Sequence, residues 1–276
     1  MGGTILVMLN IELPEHPTTL AEWLAHCERL HPQGISGIEM GLDRVRTVAD
    51  RMGLVMPCPV ITVAGTNGKG STCVMLEAVY GEAGFRTGVY TSPHLVHFEE
   101  RCRIGGEAVA ASELLPAFAE VEAARVGGAG QAPVSLTYFE FTTLAILQTL
   151  ARSDIEVAIL EVGLGGRLDA VNIVEPDVSV VTSVGLDHQD WLGDTRGAIA
   201  AEKCGIGRAD KPLVFGEMDW PDNLVSLAAT LGSSPVFAGR DFHAQGEALV
   251  LSDNRQLRLP AQVRLGADNL ATACQA

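Results

Sequence analysis

The sequence predicts an α/β fold, a doubly wound and mostly parallel sheet with helices on both faces. Three observations carry that expectation. Apolar runs of strand length, such as ITVA, AILEV and VSVVTSV, alternate with amphipathic helical patterns. The glycine-rich segment GTNGKGST follows directly on the first of those runs. And 276 residues, 47% of them hydrophobic, are enough to bury one large core or two modest ones.

The elements follow in order. TTLAEWLAHCERLH reads as a helix capped by Thr18 or Thr19, with Leu20, Trp23, Leu24 and Cys27 on one face. GLDRVRTVADRMG reads as a second, carrying Leu42, Val45, Val48, Ala49 and Met52 at helical spacing and ending at Gly53. A strand is expected over 59–64, then the glycine loop, then a helix through STCVMLEAVYGEAG. RTGVYTSPH reads as a short strand stopped by Pro93. SELLPAFAEVEAARV is helical, with Pro116 acceptable only near its first turn. GGAGQAPVS, 127–135, has the composition of a surface loop. TYFEFTTLAILQTLARS and RGAIAAEKCGI read as helices; IEVAILEV, DVSVVTSV and KPLVFG read as strands. From about 235 the pattern shortens to PVFAG, EALVLS and RQLRLP, which predicts a small region of antiparallel hairpins over about 235–262. GADNLATACQA opens a last helical pattern.

Bulk properties narrow the function. A formal charge of −15 argues against a nucleic-acid surface, which needs clustered Lys and Arg. The six cysteines show no CxxC spacing, which fits reduced thiols rather than a zinc site or a disulfide framework. ILVML near the start is too short for a signal core or a membrane span, so a cytoplasmic protein without a membrane partner is expected.

The loop departs from the common phosphate-loop spelling: Val63 stands where the first glycine is usual, and Gly70 intervenes before Ser71. Its physics is intact. Gly65, Gly68 and Gly70 let backbone N–H groups converge on an anion, the next helix adds its positive end, and Lys69 reaches the terminal phosphates, with Ser71 or Thr72 completing the cradle. Ser92 comes just past the next strand, where parallel sheets present functional groups, although a Ser-Pro turn is often only a turn. Glu161 closes an apolar strand ahead of three glycines in four positions, a place suited to holding a phosphate-bound Mg²⁺. Asp187, His188 and Asp190 follow another apolar strand. Lys203 lies in a helical pattern and by spacing alone reads as a solvated charge.

GTNGKGS, YTSPHL, LTYFEF, LEVGLGGRLDAVNIV, LDHQDWLG and EKCGI occur in that order. Together they resemble the Mur ligase superfamily, and most closely its folate branch of bifunctional dihydrofolate synthases/folylpolyglutamate synthases. The resemblance runs from about Leu20 to the end of the chain. It implies an ATP-binding domain over 18–276 after an N-terminal extension, and ATP-dependent joining of L-glutamate to dihydropteroate or to reduced folates such as tetrahydrofolate. Thr66, Asn67, Gly68, Lys69, Gly70 and Ser71 would hold the ATP phosphates, and Asn269 would contact ATP. Ser92, Glu161 and His188 would be Mg²⁺ ligands. Lys203, carbamylated on its amine, would serve a second Mg²⁺. Thr137, Tyr138, Phe139 and Glu140, with Leu168, Asp169 and Ala170, would line the pterin pocket. Lys69, His188 and Lys203 would be the catalytic set.

Two departures stand out. The early pocket segment reads LHPQGISGIEMGLDRV, longer than the family pattern and with Pro32 in place of serine, which leaves the fit around His31 to Gly34 open. The resemblance also implies a smaller, glutamate-binding α/β domain, expected to be absent from these 276 residues, so the chain by itself is expected to bind ATP as a monomer and make little product. The alternatives are another Mur-type amide ligase and a non-catalytic ATP- or pterin-binding protein.

Overall fold

The computed structural model describes residues 17–31, 37–245, 248–258 and 266–276. The expected extension over 1–17 (except its last residue), the segment at Pro32 to Gly34 and the end of RQLRLP lie outside them.

At the centre is an eight-stranded sheet. Its strands are β1 (Val60–Ala64), β2 (Thr87–Tyr90), β3 (Cys102–Ile104), β4 (Glu107–Ala108), β5 (Val157–Glu161), β6 (Val178–Val181), β7 (Pro212–Phe215) and β8 (Ser234–Phe237), in the order β4-β3-β2-β5-β1-β6-β7-β8. From β2 to β8 every pairing is parallel; β3 and β4 add an antiparallel edge. β1 and β5 are buried along their whole length, because helices cover both faces of a parallel sheet.

Side-chain alternation assigns the faces. Val60, Tyr90, Ala158 and Leu160 pack against α1 (Leu20–Leu30), α2 (Asp43–Met52), α4 (Ala111–Val126) and α5 (Tyr138–Ala151). On the same side Val181, Leu213 and Phe215 meet α7 (Arg196–Cys204) and α8 (Leu224–Leu231), which follow the single turn α6 (Gln189–Leu192). Their neighbours Ile61, Val63, Val89, Ile159, Val180 and Val214 point the other way, toward α3 (Lys69–Glu82), α9 (Ala267–Gln275) and a three-stranded antiparallel sheet of β9 (His243–Gln245), β10 (Ala248–Val250) and β11 (Gln256–Arg258).

Local chemistry accounts for the helix ends. Thr19 caps α1 in a capping box, accepting from the Glu22 N–H while the Glu22 carboxylate accepts from the Thr19 N–H at 3.0 Å. Gly53 ends α2 in the left-handed region, at φ 64°. Two expectations are corrected. PVFAG does not open a hairpin: its Pro235, Val236 and Phe237 belong to β8, which extends the parallel sheet beside β7. Pro116 is the sixth residue of α4, in its second turn. The hairpin β3–β4, α8 and β9 carry no signal that the periodicity reading picked up.

Candidate active site

β1 is flanked by β5 and β6: the chain leaves β1 toward β2 on one side, returns through β5, and crosses β1 to reach β6 on the other, which opens a crevice at the strands' C-terminal ends. GTNGKGS fills that crevice. α3 begins at Lys69, two residues earlier than expected, so Lys69 and Gly70 belong to its first turn. A side chain at Gly65 (φ 153°) would place its Cβ 1.8 Å from Thr182 Oγ1, and one at Gly68 (φ 84°) would meet Asn269 Oδ1 at 2.8 Å. Both glycines are therefore demanded by close approach as well as by backbone angle. The second contact seats Asn269, on α9, against the loop.

The loop is laced to the segment after β6. The Thr66 N–H donates to the Ser183 carbonyl (2.9 Å), the Asn67 N–H to Ser183 Oγ (2.9 Å), and Thr182 Oγ1 to the Asn67 carbonyl (2.6 Å). The Gly185 N–H donates to Thr66 Oγ1 at 2.9 Å. Lys69 Nζ donates to the Gly65 carbonyl at 3.0 Å, which folds its ammonium back over the loop.

Glu161 ends β5 beside the loop. Its carboxylate is 5% exposed, accepts the Ser92 N–H (2.9 Å), and has Oε1 3.7 Å from where a Gly70 Cβ would stand. Burial raises its pKa, while the Ser92 N–H and the Lys69 charge pull the other way. Lys203, in the last turn of α7, is 3% exposed; burial and then repulsion from Lys69 bring its pKa down to about 8, partly offset by Asp187. His188 is less buried than a strand-end residue would be. It sits beyond β6 at φ 49°, half exposed, with Nε2 3.6 Å from Asp187 Oδ2. Among the described residues no group of three or more His, Cys, Asp or Glu is gathered around a point that could hold a metal. Half of the expected ligands are of other kinds, Ser92 and Lys203; Glu161 and His188 belong to that set.

Next to this corner lies a cavity of about 430 Å³ whose wall includes Ser92, Thr137, Phe139, Glu140, Leu168, Asp169, Ala170 and His188. It thus joins two of the expected metal ligands to six of the seven expected pterin contacts. Tyr138 is the seventh, and the structure turns it away: α5 places its ring in the core with Phe141 and Leu144. Thr137 caps α5, accepting the Glu140 N–H at 3.1 Å, while Glu140 accepts the Thr137 N–H at 2.8 Å. Asp169 is buried and accepts the N–H groups of Leu164 (2.8 Å) and Val171 (3.0 Å); burial outweighs these bonds and holds its carboxyl up at about 6. Gly163 is required because any side chain there would run into the Phe139 ring, 2.5 Å from its Cζ.

Several residues of the cavity wall, and one that braces it from behind, escaped the sequence reading. Arg44 binds Glu39 Oε1 and Glu140 Oε1, each at 2.7 Å, and so fixes the buried Glu140. It sits on the polar face of α2, where a charge reads as solvated. Arg101, Met40, Pro93 and Leu164 line the cavity itself; the dense glycine run near Leu164 was the one available signal.

Comparison with known proteins bears on this arrangement. The model of the Mur ligase middle domain matches residues 63–215, from β1 to β7. The chain is 48% identical over 227 residues to the dihydrofolate synthase/folylpolyglutamate synthase of Escherichia coli (strain K12), covering 82% of this chain and 52% of that protein. It is 45% identical over 225 residues to the protein of that name from Haemophilus influenzae, covering 81% and 49%. The chain therefore spans about half the length of the curated relatives it matches. Among solved structures, E. coli FolC in complex with DHPP and ADP superposes with a TM-score of 0.85 at 42% identity, over 95% of this chain and 62% of that one. A bifunctional folylpolyglutamate synthase/dihydrofolate synthase with Mn, AMPPNP and L-glutamate bound gives 0.82 at 44%, over 93% and 61%. With the middle-domain match extending over more than half of its residues, on the fold and loop that such a domain requires, the chain belongs to the Mur ligase family.

Proposed function

We propose that this chain carries the ATP- and pterin-binding half of a ligase that joins L-glutamate to dihydropteroate, to reduced folates, or to both. The observation that supports it most directly is the meeting of three features at one crevice: the phosphate loop, the Ser92–Glu161 corner and the adjoining cavity. Relatives solved with ADP and DHPP, or with AMPPNP, Mn and L-glutamate, agree with it.

In this reading Thr66 to Ser71 bind the ATP phosphates through backbone N–H groups, with Lys69 neutralising the terminal ones and Asn269 meeting the nucleotide. Thr137, Phe139, Glu140, Leu168, Asp169 and Ala170 hold the pterin, with Tyr138 supporting the helix start from the core. A carboxylate resists attack by an amine until one of its oxygens becomes a leaving group. The γ-phosphoryl of ATP passes to that oxygen and ADP departs; the glutamate amine then attacks the acyl carbon, phosphate leaves, and the amine gives up a proton.

Two Mg²⁺ ions fit the donors present. Glu161 and Ser92 offer hard oxygen atoms, and a nearly buried carboxylate with a raised pKa gains from a nearby cation. His188 and a carbamylated Lys203 complete the proposed set. Mg²⁺, when bound, offsets the negative charge of the phosphate oxygens. With a pKa of about 8, Lys203 has a useful fraction of neutral amine, which adds to CO₂, loses a proton and becomes an oxygen donor.

The test uses ATP labelled in the oxygen bridging the β- and γ-phosphorus. Scrambling of the label that depends on dihydropteroate reports phosphoryl transfer without need of glutamate. Lys69→Ala is expected to weaken ATP binding at least about tenfold, roughly 1.4 kcal/mol. An unchanged dissociation constant in that variant, or no binding of dihydropteroate at all, would defeat the reading.

A further inference from the structure

Arg101 is a cation lining the cavity to which nothing above assigns a task. It closes a short 3-10 turn (Phe98–Arg101), and its carbonyl accepts the Thr91 N–H at 3.0 Å, so the β2–β3 pairing sets it beside Ser92. It is 8% exposed and forms part of the cavity wall. Its Nε donates to His94 Nδ1 at 2.8 Å, and its guanidinium carbon lies 5.3 Å from the centre of the Phe98 ring. These contacts fix the plane of the group. The two terminal nitrogens have no hydrogen-bond partner and no carboxylate among the described residues, and neither is sealed away from open space.

The other charges around the cavity are engaged. Glu39 and Glu140 are both bound to Arg44, and Asp169 accepts backbone N–H groups. A guanidinium taken out of water without a counter-charge is costly, and its planar fork matches the two oxygens of a carboxylate. A pterin ring is neutral and does not call for such a group, but the remainder of a pterin-bearing acid does. We propose that Arg101 anchors a carboxylate of the pterin substrate, either the benzoate of a dihydropteroate or the α-carboxylate of a glutamylated one. His94 is the positioning residue that aims the fork. The proposal rests on the cavity being the pterin site.

The experiment is a calorimetric titration of the full chain with three ligands: dihydropteroate, its uncharged primary amide, and dihydrofolate. If Arg101 holds the benzoate, wild-type chain prefers the acid to the amide by at least about tenfold, and Arg101→Gln binds the two alike while keeping its affinity for the amide. If it holds the glutamyl α-carboxylate, acid and amide bind wild type alike and Arg101→Gln loses about tenfold on dihydrofolate alone. Arg101→Lys, which keeps the charge but not the fork, should retain part of either preference, and it replaces the glutamine variant if that fails to fold. A purely structural arginine predicts that all three ligands weaken together. That result, or three unchanged affinities, overturns the proposal. Failure of wild type to bind any of the three overturns the pterin reading beneath it, a distinguishable outcome.

Discussion

Asp169 shows how a single side chain records the demands of a site. Its carboxyl is buried at the cavity wall and titrates at about 6, against an ordinary value of 3.8, because desolvation outweighs the N–H groups it accepts. Between those two values the folded chain binds more protons than the unfolded one. Asp169 therefore makes stability fall as pH rises from about 4 to about 6, after which its contribution is constant. Urea midpoints measured for wild type and Asp169→Asn across pH 4 to 7 should show the wild type losing ground relative to the variant over that window. Parallel curves would mean that the carboxylate is better solvated than its burial implies. At this scale the sequence pointed to places at or just past the ends of strands. Ser92 and Glu161 each come from a motif at the end of an apolar run, and the structure sets them side by side. Asp169, eight residues beyond β5, was expected only through the family resemblance. The sequence was uninformative for Arg44 and Arg101, since a basic residue in a polar stretch looks solvated until the topology brings it a buried carboxylate, as for Arg44, or a cavity wall, as for Arg101. Tyr138 failed in the opposite sense. A motif names a segment, but the helical period decides which of its members faces the cavity.

Among the elements, α5 ties stability to the site. Its capping box is also part of the cavity wall: Thr137 and Glu140 satisfy each other's N–H groups, and Glu140 extends the connection to Arg44 and α2. Thr137→Ala should lower stability by about 1 kcal/mol, the usual effect of losing such a cap. Urea unfolding measures it; a change below about 0.3 kcal/mol would show that Arg44 alone holds the helix start. Strands buried on both faces and helices with a clear apolar stripe could be read from sequence because one period dominates each of them. β8 could not be read correctly. Short apolar runs look alike whether they pair with a hairpin partner or add to a parallel edge, and only the crossover through α8, itself unnoticed, decides between the two.

For the molecule as a whole, the crevice exists because β1 lies between β5 and β6. Val60 pairs with Ala158 and Ile61 with Val178, partners separated by about a hundred residues of chain. Pairings of that range close large loops and form slowly. The lacing of the phosphate loop to Thr182, Ser183 and Gly185 therefore has a consequence in time as well as in space. A nascent or refolding chain that has made β1, α3 and β2 already contains the whole of GTNGKGS, yet the loop has nothing to lean on until β6 docks. Affinity for nucleotide should consequently arrive late. In a refolding experiment, helical signal should recover first and a fluorescent ATP analogue should bind only with the slowest phase. Capture of the analogue in the earliest phase would mean that the loop organises itself unaided.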